Sequence, residues 1–266
     1  MKIISILIWL SFWAAMLYSQ EAPKTNEQFR IAYSASEQGN YKLAIRTYTE
    51  AITDNPAQSF LYYNRGMAYL AINSFGFALD DFKKANELKP TAEGYYQQGH
   101  IEYLDGKLAD AKTDLQKARN LRKDIDDMDF LLGQLYYKDK EYAKAVDCLH
   151  DYTSRVQTNT DAYYYQGLAE AQQGNMDAAN KSVKRAMFNE VKDPKYFYKM
   201  FELYSAIGEN EKAITSLNKV IELDGHKPAY YKNRAALYLA MGQQKQSDED
   251  LQTAKSLLQV ANTDTE

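Results

Sequence analysis

The sequence predicts an all-α chain, an α-solenoid of stacked antiparallel helix pairs. Three observations predict it: a self-repeat of about 34 residues, apolar stripes of helical spacing inside each period, and prolines placed at the junctions between periods. Self-similarity at such a period marks an array of supersecondary units that bury a continuous core only by stacking.

The repeat is fixed by columns. Ala44, Ala78, Ala111, Ala145, Ala179, Ala213 and Ser247 recur at intervals of 34, 33, 34, 34, 34 and 34 residues. Four residues on stand Tyr48, Phe82, Leu115, Leu149, Val183, Leu217 and Leu251, and seven on stand Ala51, Ala85, Ala118, Tyr152, Ala186, Val220 and Ala254. Five residues before the first column come Gly39, Asn73, Gly106, Lys140, Gly174, Gly208 and Gly242. Further upstream, Gly66, Gly99, Gly133 and Gly167 form another column, completed by Ala32, Phe201 and Ala235. Nine of the 12 glycines fall in these two glycine columns, so their placement is not chance.

Each period reads as two helices. Tyr62, Gly66 and Tyr69 share a face, "AINS" breaks the pattern, and Phe75, Ala78, Leu79, Phe82 and Ala85 restore it. Pro56, Pro90, Pro194 and Pro228 lie where a helix must stop or start. No stretch alternates with period two, so no strand is expected. Small residues let two helix backbones approach, and a neighbouring aromatic or leucine fills the space.

The set "Y-x-x-x-G-x-x-Y…G-x-Y/F-x-x-A-I/L-x-x-F/Y-x-x-A…P" resembles the tetratricopeptide repeat (TPR). The resemblance covers residues 25–261 as seven repeats, 25–58, 59–91, 92–125, 126–159, 160–193, 194–227 and 228–261. It implies a right-handed superhelix whose concave groove is lined by the first helix of each pair, seven repeats coming near one turn. Tyr152 in an alanine column, the polar "HDYTSRVQTN" and Phe201 in place of Gly or Ala are departures expected to distort packing locally. The last helix, from Ser247 to about Val260, must cap the stack, a task suited to Asp248, Glu249, Asp250, Gln252 and Lys255, with residues 262–266 a flexible tail.

The N-terminus differs. "MKIISILIWLSFWAAMLYSQ" carries one cation, Lys2, before an apolar run, the pattern of a signal peptide over residues 1–20, with a retained N-terminal anchor as the alternative. Removing Lys2 would change the net charge of −4 to 31 − 36 = −5. A single cysteine permits no internal disulfide, which fits a bacterial envelope better than a disulfide-rich extracellular space. Export, to a periplasmic or envelope-associated place, is therefore expected. Interspersed charges of both signs give no footprint for nucleic acid, and membrane contact is expected only through the N-terminal segment if it is uncleaved.

Catalytic chemistry finds no support. His100, His150 and His226 fall in three different repeats, and Cys148 and His150, two apart on a helix, point to different sides, the pattern of a surface thiol and a solvated histidine. "KDIDDMD" lacks the central glycine and closing glutamate of a calcium loop, and its Asp126 and Asp127 suit a helix start. The chain is expected to be no enzyme and to need no metal or cofactor.

Binding has a better candidate. One residue after the first-helix core position, a second stripe runs Tyr63–Met67–Leu70, Tyr96–His100–Tyr103, Phe130–Gln134–Tyr137, Tyr164–Leu168–Ala171, Tyr198–Glu202–Ser205 and Lys232–Ala236–Leu239, preceded by Phe29–Tyr33–Ser36. By the family resemblance this stripe faces the groove. There Tyr63, Tyr96, His100, Tyr103, Phe130, Tyr137, Tyr164, Tyr198 and Lys232 would meet an extended peptide or helix, with Asn64 and Asn233 bonding its backbone. The alternative is that these aromatics only pack between adjacent first helices. A carboxylate clamp of the chaperone-binding kind is absent, since Phe29 and Tyr33, or Tyr198 and Glu202, occupy its places. In the triplet "YYY", Tyr163 is assigned to the core, Tyr164 to the groove and Tyr165 to a half-wet edge. The expected role is an exported scaffold binding an envelope protein or peptide. The alternatives are a structural accessory subunit using its convex or terminal surfaces, or a glycan- or small-ligand-binding solenoid.

Overall fold

A computed structural model describes residues 27–125, 127–186 and 193–263. Among the described residues there are fourteen α-helices and no strand. The chain divides into two compact units at residues 128 and 129. The first contains α1 (Glu27–Glu37), α2 (Tyr41–Asp54), α3 (Ser59–Ala71), α4 (Phe75–Leu88), α5 (Ala92–Leu104) and α6 (Leu108–Leu121). The second contains α7 (Met128–Lys138, whose first residue closes the first unit), α8 (Tyr142–Arg155), α9 (Thr160–Gln172) and α10 (Met176–Ala186). It continues with α11 (Pro194–Ala206), α12 (Asn210–Leu223), α13 (Pro228–Ala240) and α14 (Gln244–Thr263). The expected signal segment, residues 1–20, and Asp126 lie outside the described residues. α14 runs to Thr263, into the stretch expected to be a frayed tail.

Within each unit the helices form hairpins that stack on one another, which is the α-solenoid fold. The two glycine columns serve different ends. Gly39, Gly106, Gly174, Gly208 and Gly242 have φ of 74–78°, yet a Cβ added there would meet nothing within 4 Å. Their role is the turn itself, not close packing. Asn73 and Lys140 hold the same left-handed conformation at φ 58° and 61°. At all seven turns the amide of the next residue donates back to a first-helix carbonyl, from Asn40 to Ala35 and from Glu141 to Tyr136, for example, at 2.8–3.0 Å. This double-bonded cap satisfies carbonyls that the helix end leaves open and aims the chain back along itself.

The second glycine column provides the close approach. A Cβ on Gly66 would sit 3.0 Å from the Phe82 ring, on Gly99 2.9 Å from Leu115, and on Gly167 2.9 Å from Leu203. Phe82, Leu115 and Leu149, which face Gly66, Gly99 and Gly133, are completely buried in consequence. Helix starts are set locally: Asn40, Thr91 and Asn159 each accept an amide three residues on, and Asp193 caps α11 just ahead of Pro194.

The three departures are absorbed without breaking the hairpins: the polar "HDYTSRVQTN" begins as the last turns of α8, which runs unbroken to Arg155. Tyr152 is buried, its ring stacked 5.4 Å from Phe130 and its hydroxyl accepting from Asn159 at 3.0 Å. Phe201 is buried with its ring 5.2 Å from Tyr198. Two expectations are corrected. Cys148 is buried, not a surface thiol, because its helix face turns to the core. Asp250 does not serve a polar cap face: it is buried, and its two oxygens accept from Arg234 at 2.7 and 2.8 Å.

A lysine in the left-handed region costs about 1 kcal/mol relative to glycine. Lys140→Gly should therefore stabilise the protein by about 1 kcal/mol in urea unfolding, whereas Gly174→Ala should destabilise it by a similar amount.

Candidate binding face of the first helices

The candidate residues lie on α3 and α5 of the first unit and on α7, α9, α11 and α13 of the second. In the first unit, Tyr63 is half-buried, its ring 5.5 Å from Phe82, and Met67 and Leu70 pack against the same cluster. The Asn64 side-chain amide donates to the Phe60 carbonyl at 2.7 Å, so one donor assigned to a ligand is used inside its own helix. Tyr96 is only 4% exposed and stacks on His100, ring to ring at 5.7 Å. Burial holds the His100 pKa below its ordinary value, against a smaller upward pull from Asp127, which favours the neutral imidazole. Tyr103 is half-buried.

In the second unit the aromatics make a connected series. The Phe130 ring lies 6.4 Å from Tyr165, Tyr137 lies 5.9 Å from Tyr165 and 5.7 Å from Tyr142, and Tyr165 lies 5.1 Å from Tyr164. Tyr164 is buried, its hydroxyl donating to Glu202 of α11 while the Lys199 ammonium sits 5.4 Å over its ring. Burial first, then Glu202, pushes the Tyr164 pKa far above that of an ordinary phenol. Tyr198 is half-buried, 5.4 Å from the Tyr230 ring, and accepts from Asn233 at 3.0 Å; Lys232 is exposed.

The triplet thus divides differently from its assignment by column. Tyr163 is buried as expected, but Tyr164 is buried too, and half-exposed Tyr165 is the member that turns toward Phe130 and Tyr137. Reading one column at a time places a residue on its own helix; it does not show that α11 brings Glu202 and Lys199 over Tyr164. Tyr96 and Tyr164 therefore follow the packing alternative.

A polar seam between paired helices was missed altogether. Arg65 grips Asp81 through two bonds of 2.7 and 2.8 Å and reaches Thr49 at 3.0 Å. Arg234 repeats this with Asp250 and with Asn218 at 2.6 Å. Both aspartates lie 16 residues after their arginine, and both arginines 16 after the third partner. That spacing recurs as Gln98 with Asp114, which are hydrogen-bonded. In α9, Gln166 accepts from Thr153 at 3.1 Å and donates to Glu170, which also accepts from Ser182 at 2.7 Å. The signal was present in the sequence as paired columns of complementary polarity. Glu170 lies beneath an open cleft lined by residues of α8, α9 and α10, and both its oxygens are already occupied.

Glu102 stands apart. It is 3% exposed, one of its oxygens has no partner, Lys83 is 4.0 Å away, and Asp114 and Asp110 face it from α6. Burial, then the charge of Asp114, raises its pKa from 4.5 to about 7. Among the described residues no group of His, Cys, Asp or Glu is placed to hold a metal, and no helix is long and apolar enough to cross a membrane.

Known proteins agree with this architecture. Tetratricopeptide repeat models match residues 29–93 and 197–227. The chain is similar to human tetratricopeptide repeat protein 28, 35% identical over 111 residues, which cover 41% of this chain and 4% of that one. It is 21% identical over 223 residues to the chicken DnaJ homolog subfamily C member 3, covering 78% of this chain and 44% of that one. The chain thus spans less than half the length of these relatives. Among solved structures, YrrB, described as a TPR protein with an unusual peptide-binding site, superposes with a TM-score of 0.59 at 24% identity, over 67% of this chain and 92% of that one.

Because the raised Glu102 pKa means that the folded state binds the proton more tightly, stability should be highest below about pH 4.5, as far as this group decides it, and fall until about pH 7. The fall should be roughly 1–3 kcal/mol, read as the difference between wild type and Glu102→Gln in unfolding titrations. With its 34-residue columns, turn caps and paired helices in place, the chain carries tetratricopeptide repeats, which the family models match at residues 29–93 and 197–227.

Proposed function

We propose that the protein is an exported, non-enzymatic scaffold that binds a peptide or helix of a cell-envelope partner on the faces of its first helices. Tetratricopeptide repeat proteins mediate protein–protein interaction, and their fold is a typical non-enzymatic scaffold; the export, the envelope partner and the face used are our reading. One observation carries the face: half-exposed Phe130 and Tyr137 of α7 lie 6.4 and 5.9 Å, ring to ring, from half-exposed Tyr165 of α9, and the next first helices carry half-exposed Tyr198 and exposed Lys232. Rings of this kind offer large apolar area with a polar tip at low entropic cost, which suits peptide recognition. Export rests on the apolar run and single cation of residues 1–20.

A second reading, a structural subunit that docks through a hairpin edge, has its own support. Phe77 is 65% exposed at the α3–α4 turn, beside exposed Ile72 and Phe75. Large apolar side chains clustered at a surface mark contact sites.

Quantitative affinity purification from the envelope fraction separates the two. Tyr137→Ala combined with Lys232→Glu should cut partner recovery at least tenfold with the folded state intact by circular dichroism, while Phe77→Ser leaves it unchanged. The reverse pattern would favour the hairpin edge. Recovery of the protein from the cytosol with its N-terminus intact would contradict export.

A further inference from the structure

Three successive first helices of the second unit converge on one carboxylate. α7 contributes Tyr137, α9 contributes Tyr164 and Tyr165, and α11 contributes Glu202. The Tyr165 ring stands edge-on to Tyr137 and to Tyr164, and the Tyr164 hydroxyl donates to Glu202. Glu202 lies close enough to Tyr137 for its charge to raise that phenol's pKa as well, after burial and Tyr142.

Glu202 is half-buried, and among the described residues no Lys, Arg or His forms an ion pair with it. The nearest candidate on its own helix, Lys199, is committed elsewhere: its ammonium binds Asp161 at 2.6 Å while lying over the Tyr164 ring. Tyr164 offers the carboxylate a hydrogen bond but no positive charge. A carboxylate partly withdrawn from water pays for that position in desolvation, and a cation is what restores it. The surrounding rings favour the same sign of charge, because their faces carry negative electrostatic potential.

We propose that Glu202, held in place by the buried Tyr164 hydroxyl, receives together with the rings of Tyr137 and Tyr165 an arginine or lysine side chain of a bound peptide, so that the protein selects basic segments of its partner. This rests on the reading of the first-helix face as the binding surface and narrows it to one chemistry. Charge complementarity supplies the selection: a neutral or acidic side chain at this position leaves Glu202 unpaired or repelled, so discrimination comes from the penalty as much as from the contact.

The test uses fluorescein-labelled dodecapeptide pools, degenerate except for one fixed central residue: arginine, lysine, citrulline, norleucine or glutamate. Fluorescence anisotropy of the full folded chain should give arginine and lysine pools at least tenfold tighter than citrulline and norleucine pools, with the glutamate pool weakest. Glu202→Gln keeps an acceptor for the Tyr164 hydroxyl and should bring the arginine pool down to the citrulline value. Raising salt should weaken the arginine and lysine pools more than the citrulline and norleucine pools, a readout on the wild-type protein that stands even where the variant misfolds. Equal binding of all pools would overturn the cation site while leaving a peptide-binding face intact. No binding by any pool would overturn both.

Discussion

Everything in this chain hangs on a left-handed residue placed after each first helix. Seven times the backbone reaches φ of 58–78°, and seven times the next amide bonds back to the helix it has just left. The turn sets where the second helix starts, and so which of its residues meet the first. Five of the seven positions are glycine, where the conformation costs least. Asn73 tolerates it through its short polar side chain, whereas Lys140 holds it at a cost, so the turn geometry prevails over local preference there.

Once the hairpin is set, the other constraints follow in order. The second glycine column lets Phe82, Leu115 and Leu203 press against a helix backbone, which fills the inner face of each first helix. The seam between paired helices is filled by Arg65 with Asp81, Gln98 with Asp114 and Arg234 with Asp250, polar pairs whose burial is tolerated because each is bonded on both sides. What remains of each first helix is the face carrying the tyrosines. In the proposed function, binding falls to residues that the fold does not consume, and Glu202 is the clearest candidate, since its hydroxyl donor leaves its charge unanswered.

Residues that act within one period were legible in the sequence. Gly39, Gly66, Ala78 and Phe82 revealed the turn, the close approach and the filling group because each contact lies within a single hairpin or its immediate neighbour. Residues whose setting depends on the next helix along were not. Tyr164 reads as open until α11 brings Glu202 to it, 38 residues later in the chain. Tyr96 reads as open although it is buried. Asp250 and Cys148 were misread for a related reason. A charged or reactive side chain suggests solvent, yet both occupy the column of Asp81 and Asp114, which faces the paired helix. Comparing columns for complementary polarity at a spacing of 16 residues would have recovered the seam.

Site-specific photocross-linking tests the binding face most directly. A benzophenone amino acid is placed at position 137 or 232 on the first helices α7 and α13, and at exposed position 77 or 121 on the second helices α4 and α6, and partners are captured in intact cells. Covalent capture of one protein from 137 and 232, with little from 77 and 121, is the outcome expected if the tyrosine-bearing face does the binding. Capture of that protein from 77 or 121, with none from 137 and 232, would contradict it.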